Sequence, residues 1–420
     1  MERIQPGVTL SESIITTGQQ EIPSAVPVFI GYTTLNQQQA KAAVRIDNLA
    51  EYTQIFGDEH VMAFAVRHYF DNGGQQAFVL PLELEGDMPS AKAKMLSAKA
   101  KMPSAKAKMT QTEAETLMAA LGSDAVREAI GGETQITLIL APDIARLNDS
   151  VIDDQPTLVK LWSEGWMTLL QLSQIRSNLF VLLDAPDEVK QAQQCLRTLS
   201  SGYRQWGAAY WPSLETTYRD KSGEQSIVLS PTAAIAAVIQ RTDNEVGVWK
   251  APANIALSQV IRPVKPYLQG AVLFNTNGTS LNVIRSFPGK GIRVWGCRTL
   301  ENSDNTPWRY LQTRRLVSYV TVHLAQLARM YVFEPNNELT WMKCKGQSYN
   351  WLRQLWLQGG LYGSREDEAF TVQLGVNETM TEEDVRAGKM IMKVSLALLY
   401  SAEFIEISLV FDTQTGALLS

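Results

Sequence analysis

The chain divides into short apolar runs and longer stretches of helical period. Residues 25–31 (AVPVFIG), 77–80 (AFVL), 136–140 (ITLIL) and 179–183 (LFVLL) are apolar runs, each too short for a helix. They predict strands buried on both faces. Residues 62–70, 156–172 and 188–199 lie between or beyond them and read as helices packed on one face. Strand and helix in alternation predict an α/β fold, with α+β mixture, in which helices cover a sheet.

The C-terminal part is patterned more tightly. Residues 281–284 and 292–297 read as strands, with Pro288-Gly289-Lys290-Gly291 as the tight turn between them. Residues 314–331 predict a helix with Leu316, Val320, Leu324, Leu327 and Tyr331 on one face. It must stop before Pro335, because the residue preceding a proline resists helix. A second helix is expected from Thr340, as N-cap, to Gly359-Gly360, with Trp341, Cys344, Ser348, Trp351 and Leu355 as its buried stripe. Lys343, Lys345 and Arg353 then lie off that stripe. Thr381-Glu382-Glu383-Asp384 has the form of a capping box with Asp in the Glu position, and Gly388 is placed as the stop. Residues 392–398 and 403–411 alternate as strands, the second putting Ile405, Ile407, Leu409 and Phe411 on one face. At the other end Val8, Leu10 and Ile14 alternate with polar residues ahead of a polar link at 16–20.

Composition narrows the function classes. With 420 residues, 45% apolar and 19% charged, the chain is globular and long enough for two or three domains. A net charge of -5 is too mild to argue for nucleic acid. The longest apolar run, 233–239, is far too short to span a membrane, and the first residues lack the apolar core of a signal peptide. Three cysteines far apart, with no C-x-x-C, argue against a disulfide framework and for folding in a reducing compartment. Residues 89–109 repeat PSAKAKM, LSAKAKM, PSAKAKM, with six lysines and no acid, and are expected to form a solvated, mobile insertion. Charge is segregated: residues 305–365 carry eight basic and two acidic side chains, residues 366–384 seven acidic and no basic. Either this patch meets other protein surfaces, or neighbouring segments neutralise each other within the fold.

Catalytic signatures are missing. His60, His68 and His323 stand in no metal-binding spacing, and a polar or capping role is expected for the first two. There is no G-x-S-x-G, and the 288–291 turn lacks the residues of a phosphate loop. Asp153-Asp154 and Glu382-Glu383-Asp384 flank helix starts, where acids complement the helix dipole. No catalytic, cofactor-binding or metal-binding residue is expected.

A family resemblance emerges from six segments in register. GIRVWGCRTL (291–300), PWRYLQTRRL (307–316), VFEPNN (332–337), LRQLWLQGGLYG (352–363), NETMTEEDVRAGKM (377–390) and SAEFIEISLVF (401–411) resemble the C-terminal domain of contractile tail sheath proteins. That family is shared by contractile phages, R-type bacteriocins and extracellular contractile injection particles. QPGVTLSES (5–13) is similar to its N-terminal arm, with Gln5 where an aromatic residue is usual.

The resemblance implies a tail-sheath fold with an inner domain built from both chain ends, residues 1–30 and 262–420, and an inserted outer domain, 31–261. It implies that the terminal strands, with Val8, Leu10 and Ile14 at one end and Ile405, Ile407, Leu409 and Phe411 at the other, add to sheets of neighbouring subunits. Implied partners are other sheath subunits in helical or ring arrays, an inner tube, and baseplate and terminator proteins, with no nucleic acid and no membrane insertion. Lys343, Lys345 and Arg353 are the tube-contact candidates. Assembly in the bacterial cytoplasm and release in a tail-like particle are implied. Two rivals stand beside a full-length sheath subunit: a minor paralogue forming an end ring, and an α/β enzyme using an acidic cluster with Arg314 and Arg315.

Overall fold

The computed structural model describes residues 22–33, 42–58, 60–82, 108–219, 223–266, 279–301, 307–401, 410–411 and 418–419. Most of the expected arm residues, Val8, Leu10, Ile14, Ile405, Ile407 and Leu409, lie outside them, as does most of the lysine repeat.

One eight-stranded sheet organises the larger part of the chain. Its strands are β1 (Pro27–Gly31), β2 (Val44–Ile46), β3 (Ala77–Pro81), β4 (Leu138–Leu140), β5 (Phe180–Asp184), β6 (Gly207–Trp211), β10 (Asn282–Phe287) and β11 (Gly291–Trp295). They run in the order β11-β10-β6-β5-β4-β1-β3-β2. The strands from β10 to β3 pair in parallel, and β11 and β2 close the two edges antiparallel. The inner strands β1, β3, β4, β5 and β6 are buried along their whole length, which is why their sequences are continuously apolar rather than alternating.

Successive side chains of these strands enter different cores. Val28, Ile30, Val181, Leu183 and Trp211 pack with α3 (Gln111–Leu121), α4 (Asp124–Gly132), α5 (Gln155–Leu172) and α6 (Val189–Thr198). Phe29, Val79, Leu138, Leu182 and Tyr210 pack with α1 (Leu49–Phe56), α2 (Val61–Asp71) and α7 (Thr232–Glu245). The alanine-rich run 233–239 is the interior of α7 and is buried residue by residue. A small antiparallel sheet, β8-β7-β9 (Ser226–Leu229, Leu214–Arg219, Val260–Pro263), stands beside this core.

Strands from both sides of the expected boundaries at 30/31 and 261/262 enter the same eight-stranded sheet. β1 sits between β4 and β3, and the β10–β11 hairpin extends it past β6. Those two positions are not breaks between sheets. The 288–291 turn closes that hairpin, with Gly289 at φ 70° and Gly291 at φ 74°.

Two long helices carry the C-terminal part: α8 (Leu311–Arg329) and α9 (Glu338–Leu357). α8 begins three residues earlier than its sequence pattern suggested, because Arg314 and Arg315 are themselves buried in its first turns. The expected Thr340 cap of α9 is corrected to Asn337, whose side chain accepts from the Thr340 backbone N–H at 3.1 Å, leaving Thr340 inside the helix. Leu352 rather than Trp351 fills the buried stripe, Trp351 being half-buried against His323. The insert boundary is also corrected. Met109 is 1% exposed and bridges to Ser150, because this last apolar residue packs into the core just ahead of the Thr110–Glu113 capping box.

Candidate assembly surfaces

A two-stranded antiparallel ribbon, β12 (Phe370–Gln373) and β13 (Lys393–Leu396), lies beyond α9, entered from the short α10 (Glu366–Ala369) and joined through α11 (Glu382–Arg386). Phe370 and Val372 point into the core formed by α8 and α9, while Thr371, Gln373, Lys393 and Ser395 are exposed. The pairing is Phe370 with Leu396 through Gln373 with Lys393. No further strand pairs with either outer edge among the described residues. Its neighbourhood is held by local chemistry. The Thr381–Asp384 capping box forms as its sequence predicts, and Gly388 ends that turn at φ 75°. Asn336 donates to the Val385 and Lys389 carbonyls and accepts from Trp341 Nε1 at 2.7 Å, tying the α8–α9 turn to α11.

The three cations singled out on α9 differ in their surroundings. Lys345 Nζ is 2.9 Å from Glu378 Oε2, and Arg353 Nε is 3.2 Å from Glu366 Oε1. The bond from Lys345 holds the Glu378 carboxyl below its usual range. Lys343 is exposed and makes no ion pair among the described residues. The segregated basic and acidic segments therefore neutralise each other in part, and Lys343 is left over.

Arg314 and Arg315 do not build an enzyme site. Arg315 Nη2 reaches Asp243 Oδ2 at 2.5 Å and the Ser24 carbonyl at 2.8 Å, binding α8 to the end of α7 and to the segment entering β1. The Arg314 guanidinium lies between the Trp206 and Trp308 rings, 4.0 and 4.3 Å from their centroids, and burial pulls it down to about 10. The acids 382–384 belong to the α11 cap, and Asp154 caps α5 by accepting from the Thr157 N–H. His60 occupies the N-cap of α2 without a side-chain capping bond, so a capping role is not what its ring performs. His68 Nε2 donates to the Ser258 carbonyl at 3.2 Å, inside the core. Among the described residues no three His, Cys, Asp or Glu side chains are grouped to hold a metal, and no helix is long and apolar enough to cross a membrane.

Phe411 is described through its backbone alone. Val410–Phe411 pairs antiparallel with Leu418–Leu419 of the same chain.

Buried sheet and helices thus carry, among the described residues, a two-stranded ribbon with no further strand on its edges. The family model for the phage tail sheath C-terminal domain matches residues 303–412. A chain of the anti-feeding prophage (AFP) baseplate in its contracted state is 41% identical, with 98% of this chain and 100% of that one covered and a TM-score of 0.82. A chain of the AFP helical sheath in its contracted state is 28% identical over 98% and 100%, with a TM-score of 0.69. The sheath complex of an extracellular contractile injection system, PVC, in its contracted state gives 28% identity over 99% of each chain and a TM-score of 0.67. Among curated protein sequences, none matches. The chain belongs to the contractile tail-sheath family; it is a structural subunit and not an enzyme.

Proposed function

We propose that this chain is a contractile sheath subunit linked to its neighbours by exchanged terminal strands, and that it sits at the baseplate end of the sheath. The observation that carries the linkage is the β12–β13 ribbon. Two strands alone are marginal, and among the described residues no strand pairs with either outer edge, which leaves its N–H and C=O groups to an added strand. The alternating ends, with Val8, Leu10 and Ile14 or Ile405, Ile407, Leu409 and Phe411, are the donors, Phe411 by the strand edge opposite the one that pairs with Leu418–Leu419. The baseplate position is proposed on the 41% identity to a chain of the contracted AFP baseplate, set beside 28% to chains of two sheath assemblies and 27% to a chain of the 6-fold symmetrised AFP baseplate. Other sheath subunits, baseplate proteins and an inner tube are its partners, in a particle assembled in the bacterial cytoplasm and then released.

In operation the arms act as hinges while the bodies turn and slide as rigid units from an extended to a contracted lattice. A difference of roughly 5 kcal/mol per subunit would bias one state about ten-thousand-fold. Lys343, Lys345 and Arg353 face the tube. Two of them already hold acids of their own chain, so contact is an exchange of surface ion pairs, individually weak and therefore releasable.

Gold-labelled protein in intact particles, viewed by electron microscopy, tests the position. Label confined to one ring beside the baseplate is expected. Label along the full length transfers the chain to the main sheath.

A further inference from the structure

The turn between α8 and α9 carries the most exposed apolar side chain described in this protein. Phe333 is 103% exposed at φ 72°, a backbone region that bulky side chains adopt only under strain. Met330, Val332, Leu339 and Met342 around it are 58, 57, 61 and 71% exposed. The turn is nonetheless fixed: Glu334 N–H donates to the Tyr331 carbonyl, and Asn336 and Trp341 anchor it to α11. A strained aromatic held rigidly in water has the anatomy of an interface anchor, apolar at the centre and charged around it. Glu334 and Glu338 flank it and make no ion pair among the described residues. Arg329 ends α8, and Lys343 lies about 100° round the helix from Met342.

On the helical cover of the larger sheet, α5 and α6 frame an open groove of about 790 Å³. Pro156, Val159 and Met167 line it, with Lys160, Glu164 and Arg197 along its walls. Among the described residues Lys160 is ion-paired only with Glu164, at 3.6 Å on the same helix, and Arg197 has no ion pair.

We propose that the Phe333 knob of one copy seats in the α5–α6 groove of a second copy. The cations Lys160 and Arg197 meet Glu334 and Glu338, and Glu164, released from Lys160, meets Arg329. A knob and its socket on different faces of one chain make a head-to-tail contact, the kind that builds rings and helices. The proposal rests on this chain being a sheath subunit, but not on its baseplate position.

The test introduces Phe333→Cys and Met167→Cys together in the full chain, whose three natural cysteines are buried. Mild oxidation is expected to give a ladder of linked copies, in purified protein or in particles, that neither single variant gives. A second arm reverses charge. E334K/E338K and K160E/R197E should each raise the concentration needed for assembly about tenfold or more, and the two sets combined should restore it. Absence of the ladder in both preparations, or charge reversals that do not rescue one another, overturns the knob-and-groove contact; in the latter case the knob meets the tube or a baseplate protein. A ladder in particles labelled along their whole length keeps the contact and removes only the baseplate position.

Discussion

Arg315, on the first turns of α8, is ion-paired with Asp243 near the end of α7, and the two side chains are 4% and 2% exposed. This pair fastens the C-terminal helices to the larger sheet, because the same guanidinium also holds the Ser24 carbonyl just before β1. Removing one partner leaves a buried charge uncompensated. Asp243→Asn should cost about 3–5 kcal/mol in denaturant unfolding, whereas Arg315→Met with Asp243→Leu should recover much of the loss. Equal losses in the single and double variants would show that the charges are not what matters there.

Gly296 is required by the hairpin that extends the sheet. It sits at φ 153°, and a Cβ there would lie 2.7 Å from Asn282 Oδ1. Asn282 is fully buried and clamps Arg298, accepting from its N–H at 2.7 Å and donating to its carbonyl at 2.8 Å. Gly296→Ala should therefore destabilise by about 2 kcal/mol or more, through strain and the broken clamp. Thermal melting of the purified chain measures it.

Asp184, at the carboxyl end of β5, accepts from Thr232 N–H and Oγ1, yet burial raises its carboxyl to about 7. The unfolded carboxyl titrates near about 4. Between those values the native state keeps a proton that the unfolded chain has released, so this group's contribution to stability falls as pH rises from about 4 to about 7. His68 and His323 act in the opposite sense: burial lowers both to about 4, so their contribution is lost as pH falls from about 6.5 to about 4. The difference between wild type and Asp184→Asn isolates the acid. That difference should decline from pH 5 to pH 7.5 in urea titrations; a level difference would refute the assignment.

Under the proposed strand exchange, the N-terminal arm is dispensable for folding and necessary for assembly. Deletion of residues 1–15 should leave the thermal midpoint of the monomer nearly unchanged and abolish polymerisation in sedimentation. Cylinders or rings from the truncated chain would end the proposal.

Charge reversal at Lys343, Lys345 and Arg353 together should cost the monomer no more than about 1 kcal/mol, since the pairs they lose are on the surface. It should prevent docking of sheath subunits on tubes. The single change Lys343→Glu should account for a large share of that loss, because Lys343 holds no ion pair among the described residues to give up when it binds. Normal docking of the triple variant would remove the tube-contact assignment.

Much of the fold was legible in local pattern, and its limits were physical. Strands such as Phe180–Asp184 announce themselves because parallel strands buried on both faces need unbroken apolar runs. Caps and turns, such as Thr381–Asp384 and Pro288–Gly291, are readable because their hydrogen bonds close within a few residues. The α9 cap was misplaced because Asn337 and Thr340 are both good caps three residues apart, and the choice depends on which of them the tertiary fold leaves outside the helix. The Thr110–Glu113 box was there to be read and would have marked where the lysine repeat gives way to packed structure.

By itself, then, the sequence determined the layered α/β class, most of its helices and strands, and, through six segments in register, the sheath family. The three-dimensional packing decided that β1 lies inside the sheet between β4 and β3, that Arg315 spends its charge on Asp243, and that Lys345 and Arg353 are engaged while Lys343 has no ion pair among the described residues. Period and capping are properties of neighbouring residues and leave a mark along the chain. Pairings between distant residues, such as 315 with 243 or 345 with 378, arise from how whole elements pack and have no periodic signature to read.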